Sequence, residues 1–111
     1  CSHNAISSLD LFPDATGKRS LKYLDCSFNK IASLIFYNDT LLETLLCNNN
    51  EIKDIFIDNN KYLQVINCSF NSIPSLTIKK FNFLRELYCN DNNLTLLNIN
   101  SNIALETLHC L

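Results

Sequence analysis

The cysteines of this chain recur at a nearly constant interval. The step from Cys1 to Cys26 is 25 residues, and each of the four later steps is 21 residues. A repeat of about 20 to 50 residues is the signature of a stacked array in which each unit packs against its neighbours. We therefore predict a solenoid whose turns each place one cysteine at the same point, namely Cys1, Cys26, Cys47, Cys68, Cys89 and Cys110.

This period divides the chain into four full units, 21–41, 42–62, 63–83 and 84–104, and two partial ones, 1–20 and 105–111. Positions are counted from the first leucine of each unit, so that the cysteine is position 6. Because the first residue falls at position 6 and the last at position 7, we expect one domain that is a slice of a longer array. Apart from the cysteine, the recurring residues are Leu21, Leu42, Leu63, Leu84 and Leu105 at position 1; Leu24, Leu45, Ile66, Leu87 and Leu108 at position 4; Asn29, Asn50, Asn71 and Asn92 at position 9; Ile31, Ile52, Ile73 and Leu94 at position 11; Leu34, Ile55, Leu76 and Leu97 at position 14; and Phe36, Ile57, Ile78 and Ile99 at position 16.

The shared pattern, L-x-x-L-x-C-x-x-N-x-L-x-x-L-x-L, resembles the leucine-rich repeat family. Its short spacing and second L-x-L pair are similar to a 21-residue class sometimes called IRREKO, known mainly from bacterial proteins. The resemblance covers the chain except 12–20, and it departs from the commonest pattern by placing cysteine where the third leucine stands. It implies a non-enzymatic protein-protein interaction module with a concave sheet, from a bacterial protein that is extracellular or on the cell surface.

The local pattern also predicts the fold. Positions 3 to 7 alternate outward and inward, as a strand with one buried face does. Units stacked in register then form a parallel β-sheet, and the second apolar pair forms short extended, turn or 3₁₀ segments on the opposite wall. We therefore predict a β-rich solenoid with little or no α-helix. The asparagine of position 9 has two amide donors and one acceptor, with which it can bond the backbone of its own turn and of the next.

Three interpretations of the cysteine column are open. Stacked neighbours lie within the Cα separations of disulfides, although their Cβ vectors run parallel and pairing would need opposed rotamers. A zinc site requires sulfurs that converge, which a straight column does not provide. The interpretation we prefer is six free, buried thiols that fill a narrow core.

Composition narrows the function classes. The net charge is −2 without a basic stripe, which argues against nucleic acid as a partner. No apolar run is long enough to insert in a membrane. His3 and His109 lie near opposite ends, and no nucleophile motif or phosphate loop is present, so we expect neither enzymatic activity nor a cofactor.

The outward positions of the main sheet remain as the candidate site for a protein partner of unknown identity. The chain could bind that partner as a member of a larger complex. The alternative is a structural spacer or subunit of an envelope or surface assembly, anchored as a lipoprotein through Cys1. Asn49 and Asn60, which lie outside the asparagine column, are expected to be replaceable. The candidate binding residues are Tyr23, Leu46, Asn48, Asn67, Ser69, Glu86, Tyr88, Asn90 and His109.

Overall fold

The computed structural model describes residues 1–9, 21–36, 41–57, 60–79 and 81–111. These residues form a parallel β-solenoid of about 4 turns and contain no α-helix or 3₁₀ helix, so the predicted fold class is confirmed. The inserted segment of the first unit, 12–20, lies outside them. The strands are β1 (Tyr23–Asp25), β2 (Ser33–Ile35), β3 (Thr44–Leu46), β4 (Asp54–Phe56), β5 (Val65–Asn67), β6 (Ser75–Thr77), β7 (Glu86–Tyr88), β8 (Leu96–Asn98) and β9 (Thr107–His109).

The odd-numbered strands form one five-stranded sheet in the order β1-β3-β5-β7-β9. Each pair is parallel and is offset by one unit, so that Leu24 lies opposite Leu45, Leu45 opposite Ile66, and Ile66 opposite Leu87. The middle residue of each strand points inward. Equivalent positions of successive units therefore form straight columns, which fixes what the outer surface can display.

The core lies between this sheet and the strands of the opposite wall, and it is built from the recurring leucine, isoleucine and cysteine positions. Cys26, Cys47, Cys68 and Cys89 are buried in it, whereas Cys1 and Cys110 are exposed. All six are free thiols in the structure. The expectation of six buried cysteines is thus wrong for the first and last, because each has a neighbouring turn on one side only.

The asparagine column forms the predicted ladder. The Asn71 Nδ2 group donates to the carbonyl oxygens of Cys68, Ser69 and, one unit earlier, Cys47, at 3.0 to 3.2 Å. Its Oδ1 atom accepts from the N–H of Ile52, also in the preceding unit, at 3.0 Å. One side chain therefore closes its own turn and ties it to the turn before.

Two asparagines outside that column are also structural. Asn60 is fully buried, and its Nδ2 group donates to the Ile57 carbonyl oxygen at 2.7 Å. Asn49 has a φ of 56°, in the left-handed region that asparagine tolerates better than alanine does. The expectation that both could be replaced without cost is therefore wrong.

The opposite wall is interrupted in the middle. Strand β2 pairs with β4 and β6 pairs with β8, but no ladder joins β4 to β6 in the described part of the chain. In the paired junctions, the position 12 N–H donates to the same position one unit earlier, as from Lys53 to Ala32 at 3.0 Å and from Thr95 to Pro74 at 2.8 Å. The missing donor to the Lys53 carbonyl oxygen is Pro74, which has no N–H.

The residue at position 12 should decide whether neighbouring strands of the opposite wall pair. In Pro74→Thr the restored N–H can donate to the Lys53 carbonyl oxygen, and β4 can then pair with β6. The Ile57 N–H should gain Thr77 as an acceptor, and its hydrogen exchange should slow by about tenfold or more.

The reciprocal change is the matched control. Thr95→Pro removes the bond to Pro74 and should open the junction of β6 with β8. The Ile78 N–H, which donates to Asn98 at 2.8 Å, should then exchange faster. Unchanged exchange at Ile78 would show that a proline at this position does not control the pairing.

Candidate functional site

The five-stranded sheet presents two outward side chains from each strand. We call these ten residues the main-sheet face. They are half-buried or exposed, as the alternation of the repeat predicts. The main-sheet face consists of Tyr23, Asp25, Thr44, Leu46, Val65, Asn67, Glu86, Tyr88, Thr107 and His109.

Three of the predicted site residues meet at the C-terminal end of this face. The Tyr88 hydroxyl donates to Glu86 Oε2 at 2.9 Å. The Tyr88 ring lies against the His109 imidazole with a centroid separation of 5.2 Å and an interplanar angle of 56°. The hydrogen bond to Glu86 is the main cause that raises the pKa of Tyr88. The stacking register therefore assembles an aromatic and acidic cluster from two neighbouring units.

At the other end, Tyr23 is 57% exposed and stands on the same strand as Asp25. Asp25 Oδ1 accepts from both the N–H and the hydroxyl of Ser27. The hydroxyl bond is the largest cause that lowers the pKa of Asp25, so this carboxylate is charged at neutral pH. An aromatic ring and a carboxylate thus occur together at both ends of the face.

The centre of the face is less available than expected. Ser69 is only 4% exposed, so the outward position predicted for this contact residue is wrong, and the equivalent Ser27 is buried too. The chain leaves the strand before position 7, where the alternation of inward and outward side chains ends. Asn67 remains on the face, but its Oδ1 atom already accepts from the Ser69 N–H at 3.1 Å.

The two predicted asparagines at position 7, Asn48 and Asn90, are half-buried beside the face. Asn48 Nδ2 donates to the neighbouring Asn49 Oδ1 at 2.9 Å. Asn90 differs, because its Oδ1 atom is buried and accepts no hydrogen bond from the described residues. Leu46 is half-buried at the middle of the sheet and supplies apolar surface there.

The side chains of position 8 form a rim along the C-terminal edge of the strands. They are not among the candidate binding residues predicted from the sequence. Phe28 and Phe70 are about half exposed and have φ values of 53° and 55°, and His3 stacks on Phe28 at 4.4 Å. Position 8 takes a left-handed φ in every turn of this edge, which is strained for a bulky side chain. The recurrence of this position was visible in the sequence, but its conformation was not. The C-terminal rim comprises His3, Phe28, Asn49, Phe70 and Asp91.

The break in the opposite wall leaves a shallow cleft of about 270 Å³ between β4 and β6. Lys53, Asp54 and Phe56 line one side, and Pro74 and Ser75 line the other. This cleft has both polar and apolar walls. It is distinct from the main-sheet face, since it lies across the core.

The chain matches no protein-family model, no curated protein and no solved structure. Among the described residues there is also no group of three or more His, Cys, Asp or Glu side chains placed to hold a metal ion. A helix that could cross a membrane is likewise not found in that part of the chain.

Proposed function

We propose that this chain is a protein-protein interaction module that binds its partner through the main-sheet face. The resemblance to leucine-rich repeats further suggests a non-enzymatic bacterial protein that acts outside the cell or on its surface. A solenoid offers an extended surface for binding, because stacked units place equivalent side chains in columns on one wall.

One observation carries the proposal, which is that large rings stand on this face without serving the core. Tyr23 and His109 are exposed. The orientation of the Tyr88 side chain is set by its hydrogen bond to Glu86 and by the contact of its ring with His109. Side chains that are already oriented lose little conformational freedom on binding. Tyrosine is also enriched among the residues that contribute most to interfaces.

Replacing the ring pair should weaken binding without unfolding the protein. We expect Tyr88→Ala and His109→Ala together to raise the Kd for the partner by about tenfold or more, or 1.4 kcal/mol. The partner is first identified by cross-linking, with a photoreactive amino acid in place of Thr107, which stands on the same face. The Kd for that partner is then measured by calorimetry. The melting temperature should change little, since neither ring is part of the core.

The matched control is Phe56→Ala, because Phe56 is an aromatic residue of the opposite wall and is also about half exposed. This substitution should leave the Kd unchanged. Loss of binding in Phe56→Ala together with normal binding in the ring-pair variant would place the partner on the opposite wall. The role of a spacer or assembly subunit would then be the better proposal.

A further inference from the structure

The side-chain charges of the binding surface are of one sign, whereas the Cys1 ammonium group beside it donates to the Asp25 carbonyl oxygen at 2.9 Å. The main-sheet face carries Asp25 and Glu86, and the C-terminal rim adds Asp91. Neither surface carries a lysine or arginine side chain, although the whole chain has 9 basic residues against 11 acidic ones. The basic residues in the described part of the chain lie outside these two surfaces, as the ion pair of Lys22 with Glu43 beside the face illustrates. A partner on this surface therefore meets negative potential.

The charged groups of this surface that still lack hydrogen-bond partners are acceptors. Glu86 Oε1 and the Asp91 carboxylate receive no hydrogen bond from the described residues. Lysine and arginine are donors without an acceptor, so both complement this set. Charge and hydrogen bonding thus favour the same kind of partner.

The aromatic rings favour arginine over lysine in the partner. A ring stands within two residues of a carboxylate at each end of the face, as Tyr23 with Asp25 and as Tyr88 with Glu86. A planar guanidinium can stack on a ring while its N–H groups bond a carboxylate in pairs, which an ammonium cannot do. We infer that the main-sheet face binds an extended, arginine-bearing segment of its protein partner, an inference that rests on the proposed function.

The register gives the spacing of the arginines. Asp25 and Glu86 belong to β1 and β7, which are separated by three strand spacings, or about 14 Å. An extended peptide covers this length with about four residues. A segment that runs along the sheet with arginine at about every fourth residue therefore places one guanidinium at each ring and carboxylate pair.

Synthetic peptides test whether the main-sheet face binds arginine at this spacing. The probe is a peptide of repeating Arg-Thr-Thr-Thr units, compared with the same repeat built on lysine and on glutamate. By fluorescence anisotropy we expect affinity in the order arginine, lysine, glutamate, with the arginine complex weakening as salt rises. Equal binding of arginine and lysine peptides would overturn the role of the rings, and binding that is insensitive to salt would overturn the role of charge.

Isosteric variants locate the site. Asp25→Asn, Glu86→Gln and Asp91→Asn remove charge but keep the acceptors for Ser27 and Tyr88, so the fold should be unaffected. The triple variant should weaken the arginine peptide by about five- to tenfold. Glu51→Gln with Asp54→Asn, which removes exposed carboxylates outside the face, should change nothing. Equal losses of affinity per charge removed in the two variants would mean attraction to overall charge only.

The proposed function and the arginine inference predict different results with these variants. If the partner loses affinity in the Tyr88 and His109 variant but not in the charge variant, the binding face stands and the arginine inference falls. If neither variant changes the affinity for the partner, the proposed function falls, whatever the peptides do.

Discussion

Asn71→Ala should lower the free energy of unfolding by about 1–3 kcal/mol, which is the usual cost of leaving one polar group unpaired in a partly buried site. The substitution leaves the Ile52 N–H without its acceptor and removes one of the donors to the carbonyl oxygens of Cys47, Cys68 and Ser69. These oxygens keep the bonds from Asn50, Asn92 and the Asn49 N–H. Two of those four groups belong to the preceding unit, so the loss should loosen the contact between turns as well as one turn. Urea denaturation followed by circular dichroism measures it.

The matched control is Asn93→Ala, because Asn93 is exposed and makes no side-chain bond to the described residues. Its effect should stay within about 0.5 kcal/mol, as is usual for surface substitutions. A comparable loss in both variants would show that the ladder contributes no more than an ordinary surface asparagine.

Thiol chemistry should divide the six cysteines into two classes. Cys1 and Cys110 are exposed and should react with an aromatic disulfide reagent at once. The four buried thiols can react only when the structure opens, so their modification should be at least about a hundredfold slower. In denaturant without reductant, all six should react. Fewer than six would reveal disulfides, and six fast thiols in the folded protein would contradict the buried column.

The buried thiols should also make the protein sensitive to alkali. Burial raises the pKa of Cys26 and Cys89 to about 11 and that of Cys68 to about 12, from 9.0. Below pH 9 both states keep these protons and stability is complete. Above it, the unfolded chain releases protons that the folded chain retains, so stability falls as the pH rises towards 11 or 12.

The slope of this decline identifies its cause. Each buried thiol contributes up to about 1.4 kcal/mol per pH unit in the affected range. Removing one thiol, in Cys68→Ala, should make the decline in urea midpoint between pH 9 and 11 less steep than in the unmodified protein. An unchanged slope would assign the alkaline transition to other groups.

The repeat alone predicted the strands and the core, because in a strand the alternation of side chains fixes which residues face inward. That logic gave Tyr23, Glu86, Tyr88 and His109 their places on the face. It failed at Ser69, where the chain has already turned. Such a turn depends on φ, which a residue pattern does not encode, so the left-handed conformation of Phe28 and Phe70 on the rim was not predicted either.

Features that occur in only some units were also beyond the pattern. Asn60 and Asn102 hold the turns after the second strand, but Phe81 occupies that position in the unit between them. An asparagine that occurs at this position in only two units cannot be recognised from the sequence as a structural column. Pro74 was visible in the sequence, but the consequence of its missing N–H depends on the bonding pattern of the neighbouring junctions, which only the structure shows.

The break at Pro74 bears on how the array loses its structure. In a stack of units, cooperativity is the sum of the couplings between neighbours, and unfolding spreads until it meets the weakest of them. Units 42–62 and 63–83 are joined by the main sheet and the core, but among their described residues no ladder joins them in the opposite wall. A boundary between folded and unfolded turns therefore costs less at this junction than at the junctions on either side of it, where β2 pairs with β4 and β6 with β8. Partial unfolding from either end should stop there, so that the molecule behaves as two blocks of turns that share one sheet.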